Sequence, residues 1–289
     1  MKLMRFKNLY FVISALLIIP GMIFLLLFGL KPSVDFTGGS AIEIFFSEEK
    51  GADFLGPFTA ELQENYSFET VQEVSKQEYS LRGPELTNLE KDLILTEIES
   101  KYGQLDLLSF ESLGPTIGAE LLRKALWAVA LVAIIITLYI WRQFNELKYG
   151  LSAVLAMFHD SLVLLGSFSI LGYFYQIEVD VLFITAMLTT LSFSVHDTIV
   201  VYDRIRELKK KNPKLNLEDV ANLAVTETLS RSINNSITII IVLLSLFLMG
   251  GESIRYFALA LLIGSITGTY SSTFTAVPLL LIAERNQSE

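Results

Sequence analysis

The stretch Ser192–Glu207 reads SFSVHDTIVVYDRIRE, and it closes a long apolar run that already contains His196 and Asp197. A carboxylate within an apolar membrane span costs about 2.5–3.5 kcal/mol on insertion scales. Such a group is rarely incidental, and it needs a polar partner on a neighbouring helix. The stretch therefore predicts a membrane-spanning helix with a functional carboxylate at position 197.

A partner for Asp197 is predicted in the next apolar run, which Arg231 opens. Asn234, Asn235 and Thr238 follow Arg231 at spacings of three, four and seven, so these polar side chains share one stripe of a helix. A polar stripe is costly against lipid, which favours contact with an antiparallel helix that contains Asp197. Two other interpretations stay open: a static pair that only holds helices together, and an arginine that marks the cytoplasmic end of its helix.

The composition indicates an integral membrane protein. The chain has 289 residues, 52% of them hydrophobic, and a mean hydropathy of +0.51, which is too apolar for a soluble domain of this length. Since only helices and closed barrels satisfy the backbone in lipid, its long apolar runs predict six transmembrane helices. These are placed at 9–30, 124–141, 149–172, 180–202, 232–250 and 256–282. The absence of cysteine excludes disulfides, thiol catalysis and thiolate metal sites.

The basic residues predict the orientation in the lipid bilayer. They cluster before helix one, between helices two and three, and between helices four and five, which places these segments and both termini in the cytoplasm. Residues 31–122 hold 18 acidic and 6 basic side chains, a formal charge of −12 against −9 for the whole chain, and are expected to be extracytoplasmic. No basic and aromatic surface for nucleic acid is evident in the sequence. The first run is longer than a signal core and lacks a small-x-small cleavage site, so it is expected to remain as an anchor.

The polar region between helices one and two predicts a small α+β domain. Strands are expected at 41–46, 69–75, 78–82 and 105–111, and helices at 57–66 and 84–101. The order β-α-β-β-α-β is that of the ferredoxin-like fold. The buried stripe of the second helix is predicted to be Leu86, Leu89, Leu93, Ile94 and Ile98. The chain is thus divided into a first transmembrane helix (1–30), a ferredoxin-like domain (31–122) and a five-helix transmembrane domain (123–289).

Two glycine-containing segments flank this domain. The first has Asp35 followed by the paired Gly38 and Gly39, and paired glycines indicate a turn or a close approach of the backbone. The second, Gly114-Pro115-Thr116-Ile117-Gly118, precedes helix two and predicts a hinge or a tight junction. A plain helix start is an equally good interpretation of the second segment.

Helix three contains a second His-Asp pair, His159 and Asp160, near the middle of its span. Histidine titrates near neutral pH. A hydrogen-bonded packing role suits His159, but Asp160 is harder to explain in that way. A shared metal is disfavoured, because neighbours on a helix point about 100° apart and the i, i+4 spacing of a ligand pair is missing. We therefore expect no metal site and no cofactor.

Helix six has small residues at four positions near its middle and end: Gly264, Gly268, Ser271 and Ser272. Small side chains let membrane helices approach closely. The helix is therefore predicted to pack centrally, and a structural role for these residues is favoured over a functional one.

Six motifs in order span nearly the whole chain. They are VDFTGG at 34–39, GPTIGAEL at 114–121, His159-Asp160, Asp197-Thr198 with VVYDRIRE at 200–207, Arg231-Ser232-Ile233-Asn234, and GTYSS at 268–272. With the topology above, they resemble the SecF family, whose members are the smaller partners in the SecD–SecF protein-export complex of the resistance-nodulation-division superfamily.

The resemblance implies a proton-driven export subunit and not an enzyme. Its expected partners are SecD, the SecYEG channel and the translocating preprotein. In the family, the carboxylate and arginine that match Asp197 and Arg231 lie on the proton path with acidic groups of SecD. His196 departs from the family, which usually has a small polar residue such as asparagine there. The path in this chain is expected to include Asp197, Arg231, His196, Asp160, His159 and Asn234.

Two other functions agree less well with the sequence. A half-transporter of the same superfamily could export lipid or small molecules, but an external region of about 90 residues leaves little room for a binding pocket beyond one ferredoxin-like unit. An intramembrane hydrolase would need an activated serine, a Gly-x-Gly-Asp aspartate or a His-Glu-x-x-His helix, and the sequence has none of these. Sodium stays open as the coupling ion. Six helices are half of the superfamily's usual twelve, so a second subunit is expected.

Overall fold

A computed structural model of the chain describes residues 2–144 and 146–288, with side chains at all of these except 252, 253 and 285–288. The chain forms two compact units. One comprises the residues up to Lys31 and those from Trp127 onward, and the other is Pro32–Leu126.

The elements follow one another in a simple order. They are α1 (Lys7–Phe28), α2 (Val34–Thr37), β1 (Gly39–Phe46), α3 (Leu55–Tyr66), β2 (Thr70–Ser75), β3 (Glu78–Gly83), α4 (Asn88–Tyr102), β4 (Leu105–Leu113), α5 (Pro115–Phe144), α6 (Leu147–Tyr175), α7 (Val181–Lys211), α8 (Leu217–Met249), α9 (Glu252–Phe274) and α10 (Ala276–Ser288). Within the described ranges, six helical segments are long and apolar enough to cross a membrane. The prediction of six transmembrane helices is confirmed.

Side-chain caps fix where helices α7 and α8 begin. Asp180 Oδ1 accepts a 2.6 Å hydrogen bond from the amide of Phe183 at the start of α7. Asn216 Oδ1 accepts a 2.7 Å bond from the amide of Asp219 at the start of α8. Such caps satisfy amides that have no partner within the helix. Residues 212–216 connect the two helices, and this short connection makes α7 and α8 antiparallel neighbours.

The central helices of the membrane unit are α6, α7 and the α9–α10 pair. In their most apolar segments, 50%, 50% and 61% of the residues are buried, against 11% for α1 and α8 and 0% for α5. Helices α6, α7 and the α9–α10 pair thus form the core of this unit. Helices α1, α5 and α8 present most of their apolar surface outward, to lipid or to another protein.

The second unit is a four-stranded antiparallel sheet in the order β2-β3-β1-β4. Helices α3 and α4 pack on one face of it, around a core that includes Ile42, Ile44, Phe58 and Leu81. This is the ferredoxin-like arrangement, so the predicted fold class is confirmed. The short helix α2 was not predicted; Ser33 caps it by accepting a 3.2 Å bond from the amide of Asp35.

The predicted buried stripe of α4 was wrong at two positions. Ile94 and Ile98 are buried, but Leu89 and Leu93 are 77% and 71% exposed. Leu86 packs on the core from before the helix begins. The core face is centred on Ile94 and Ile98, and a residue one position away from either lies about 100° around the helix, so Leu93 falls outside that face.

Candidate functional site

Asp197 lies on α7 and is 6% exposed. Its Oδ2 atom accepts a 2.7 Å hydrogen bond from Oγ of Ser232 on α8. The carboxylate is therefore held at the contact between two antiparallel membrane helices, where a polar partner offsets part of the cost of burial.

A cavity of about 240 Å³ lies beside this carboxylate. Its lining comes from two helices: His196, Asp197, Val200 and Val201 of α7, with Thr228, Arg231, Ser232 and Asn235 of α8. The side chain of His196 is 72% exposed, and its Nδ1 lies 3.9 Å from Oδ1 of Asp197. A buried carboxylate thus borders a polar cavity that also contains a titratable and a cationic group.

Arg231 was predicted as the direct partner of Asp197, and the structure places it differently. The two line the same cavity. Among the described side chains, however, Asp197 contacts Ser232 and His196, and no nitrogen of Arg231 comes within 4.0 Å of its carboxylate. Ser232 was missed because a hydroxyl beside an arginine gives only a weak signal in sequence. Ser232 lies about 100° around α8 from Arg231, and this difference in angle directs the Ser232 side chain toward α7.

The predicted polar stripe of α8 is exposed along its length. Arg231, Asn234, Asn235 and Thr238 are all accessible on the surface of the unit. Asn235 reaches the cavity, whereas Asn234 is outside its lining. Exposed amides and a guanidinium within a membrane span are costly against hydrocarbon. Within a bilayer, such a stripe is stabilised by water or by polar groups of a neighbour.

Asp160 belongs to a second cluster, buried among α6, α7 and α9. Its Oδ2 accepts hydrogen bonds from Oγ of Ser194 at 2.5 Å and from Oγ of Ser271 at 2.6 Å. Its Oδ1 lies 2.9 Å from Nδ1 of His159. Nε2 of His159 has no hydrogen-bond partner among the described residues. The structure thus separates Asp160 from Asp197, and Ser194 is the member of this cluster that was missed in the sequence.

The small residues of α9 lie against α7. A Cβ atom at Gly264 would lie 2.1 Å from Cγ2 of Thr190, and one at Gly268 would lie 3.3 Å from Ser194. Ser272 is buried one turn beyond. These glycines bring the two helix backbones together beside the Asp160 cluster.

The glycines of the domain junction also make close contacts. Gly38 has φ +74°, and a Cβ there would lie 2.5 Å from Cα of Pro115, while one at Gly118 would lie 2.9 Å from the amide nitrogen of Gly38. Gly39 has φ +103° and would meet the carbonyl of Gly83 at 2.6 Å. Asp35 precedes this contact within α2. Pro115 begins α5, a position that suits a residue without an amide hydrogen. The segment is a tight helix start, and its role as a hinge stays a prediction.

Comparison with known proteins identifies the family. The model of "Protein export membrane protein SecD/SecF, C-terminal" matches residues 94–286. The chain is 39% identical to the protein translocase subunit SecF of Thermobaculum terrenum, over 99% of the chain and 94% of that protein. It is 37% identical to SecF of Anaerolinea thermophila, over 97% and 93%. The protein translocase subunit SecDF of Bacillus subtilis is 34% identical, over 95% of the chain but 37% of SecDF.

Solved structures give the same result. The crystal structure of SecDF, a translocon-associated membrane protein from Thermus thermophilus, matches with a TM-score of 0.85 and 31% identity. SecDF in a super-membrane-facing form matches with a TM-score of 0.68 and 30% identity. Both matches cover 98% of the chain, which spans 38% of the SecDF chain in each case. By these matches and its six membrane helices, the chain belongs to the SecF family of Sec protein translocase subunits.

Proposed function

We propose that the chain uses the proton-motive force to promote preprotein translocation through the SecYEG channel, beside a SecD subunit. The observation that supports this most is Asp197, a buried carboxylate in a membrane span that borders a polar cavity with His196 and Arg231. Such a carboxylate can take up and release a proton. The change in protonation acts by altering the conformation of the protein, and no substrate bond is made or broken.

The energy available fits such a device. A proton that crosses 100 mV releases about 2.3 kcal/mol, which is enough to shift a two-state equilibrium of a few kcal/mol. Burial disfavours a charged carboxylate, and a nearby arginine favours it. When Asp197 is neutralised, its attraction to Arg231 and its hydrogen bond from Ser232 weaken together. The contact between α7 and α8 is then free to change.

The surface of α8 supports a SecD partner. Relatives named SecDF contain a segment like this chain within a longer chain, and the rest of that chain is long enough to supply further membrane helices. We propose that SecD covers the exposed stripe around Arg231 and Asn234 and adds acidic groups there. His159 and Asp160 form a separate cluster, and their place on the proton path stays a prediction.

The orientation follows the basic residues. We propose that both termini face the cytoplasm of a prokaryotic cell and that the ferredoxin-like unit is extracytoplasmic. The chain enters that unit after Lys31 and leaves it before Trp127. Motion of the membrane helices would reach the external unit through these two connections, the second of which passes the junction at Gly114–Gly118.

The proposal is tested by preprotein translocation into membrane vesicles, with and without a proton gradient. Asp197→Asn should abolish the stimulation by the gradient while the protein stays inserted and bound to SecD. Asp219→Asn is the matched control, because this exposed carboxylate lies at the start of α8, outside the cavity. An Asp197→Asn protein that responds to the gradient as well as wild type would make the Asp197 site structural.

A further inference from the structure

We propose that Asp160 is a positioning residue for Asp197. Asp160 accepts a hydrogen bond from Ser194 and thereby fixes the rotation of α7 about its axis. Asp197 then stays on the side of α7 that faces α8 and the cavity. The inference rests on the proposed function of Asp197, but it assigns Asp160 a role other than carrying protons.

Asp160 is surrounded by hydrogen-bonding groups. Three groups from three helices approach its carboxylate: the ring nitrogen Nδ1 of His159 on α6, and the hydroxyls of Ser194 on α7 and Ser271 on α9. Two serine hydroxyls thus converge on Oδ2 of Asp160, while Oδ1 faces the ring of His159. Asp160, Ser194 and Ser271 are 4%, 1% and 0% exposed.

Helix α7 links Ser194 to Asp197. Ser194 and Asp197 are three residues apart, which separates them by about 60° around the helix and about 4.5 Å along it. Oγ1 of Thr198 donates a 3.0 Å bond to the carbonyl of Ser194, so hydrogen bonding also ties this turn together. Any rotation that takes Ser194 away from Asp160 therefore takes Asp197 away from Ser232.

Helix α7 packs closely against α9. Gly264 meets Thr190 at a distance that leaves no space for a side chain, and Gly268 packs tightly against Ser194. Packed interiors resist deformation. Helix α7 therefore cannot easily slide along α9, and this packing limits the movement of Asp197. The hydrogen bonds of Asp160 and these glycine contacts act at the same turn of α7.

A proton-carrying role for Asp160 fits these surroundings less well. Asp160 is absent from the lining of the cavity, whereas Asp197 borders it. The titratable or charged groups that line this cavity with Asp197 are His196 on α7 and Arg231 on α8. Among the described groups that bond Asp160, those from α7 and α9 are serine hydroxyls, and His159 comes from α6 itself.

The test uses dicyclohexylcarbodiimide, which modifies protonated carboxyl groups in apolar surroundings. Vesicles that hold the full chain with SecD are treated over a series of pH values, and modification of each aspartate is measured by peptide mass spectrometry. In wild type we expect modification of Asp197 and none of Asp160. In Ser194→Ala/Ser271→Ala the midpoint of the pH profile of Asp197 should move by about 0.7 pH unit, a roughly fivefold change in the apparent proton-binding constant and the factor expected from one lost hydrogen bond.

Two control variants remove hydroxyls that bond only within their own helices. Ser161→Ala on α6 and Thr189→Ala on α7 lose bonds to the carbonyls of Met157 and Thr185, and both should keep the wild-type profile. Ser194→Ala alone is measured in the same way if the double variant fails to accumulate.

Two results would overturn the proposal. An unchanged profile of Asp197 in the serine variants would make Asp160 a packing residue. Modification of Asp160 with the same pH dependence as Asp197 would make it a second carrier. The labelling needs neither a preprotein nor a gradient, so its outcome is independent of whether Asp197→Asn retains gradient-driven export.

Discussion

Ser232 on α8 donates a 2.7 Å hydrogen bond to the carboxylate of Asp197 on α7. This bond joins the helix that contains the buried carboxylate to the helix that presents the exposed polar stripe. A change in the charge of Asp197 therefore acts directly on α8, without an intervening residue.

Replacement of Ser232 tests this contact. Ser232→Ala removes a hydrogen bond to a carboxylate, worth about 1.5 kcal/mol or somewhat more. We expect the stimulation of vesicle translocation by a proton gradient to fall about tenfold, with normal insertion. Ser245→Ala, whose hydroxyl bonds the carbonyl of Ile241 in its own helix, is the control. Equal stimulation in Ser232→Ala and wild type would remove this bond from the coupling.

The contact between α7 and α9 gives a test of stability. In Gly264→Ala the new methyl group would lie 2.1 Å from Cγ2 of Thr190, and overpacking of this kind costs about 1–3 kcal/mol. Thermal unfolding of the full chain in detergent should show the loss. Adding Thr190→Ser removes Cγ2 and should restore part of the stability. Gly51→Ala, with open space around it, should behave as wild type, and a fully stable Gly264→Ala protein would contradict the packing described above.

The external unit should fold alone, because its sheet and both helices share one core. A soluble fragment of 34–113 is expected to show mixed helix and strand by circular dichroism and to melt cooperatively. A fragment that stays unfolded would show that this core needs contacts from outside it.

The same fragment has a predicted dependence on alkaline pH. Burial, and then a hydrogen bond to Glu97, raise the pKa of Tyr66 from 10.0 to about 12. Because the folded-state pKa lies above the unfolded one, the contribution of Tyr66 to stability is complete below about pH 10 and is lost between about pH 10 and 12. Burial also raises the pKa of Tyr79 and of Tyr102, so Tyr66→Phe should lessen the alkaline loss without removing it. Identical melting curves for both fragments across this range would contradict the prediction.

The proposed orientation can be tested on this cysteine-free chain with an impermeant thiol reagent. Leu89→Cys lies on the exposed face of α4 and Asn212→Cys at the end of α7. From outside the cell, we expect labelling at position 89 and none at 212. The reverse pattern would invert the topology.

The fold was largely predictable because its signals are local. The length of each apolar run identifies a membrane helix, and alternation identified the strands of the external unit. The choice of which face a helix buries was less secure: Leu89 and Leu93 fit an apolar stripe in sequence, yet α4 turns Ile94 and Ile98 to the core.

The site was predictable by residue type but not by partner. A carboxylate in a membrane span identified Asp197 and Asp160, because burial of charge is costly wherever the helix packs. The serines that contact them depend on the rotation of two helices against each other, which spacing within one helix does not determine. The contacts of Ser194 and Ser232 with these aspartates are therefore identified only in the folded structure.

The most direct test of the central proposal is proton flux during translocation. Vesicles that hold the full chain, SecD and the channel are loaded with a pH-sensitive dye, and a preprotein is translocated under a proton gradient. We predict a flux with wild type and with Asp219→Asn, and a flux in Asp197→Asn no greater than in vesicles without the chain. A wild-type flux in Asp197→Asn, or wild-type translocation that a sodium gradient drives without proton flux, would contradict the assignment of Asp197 as the proton carrier.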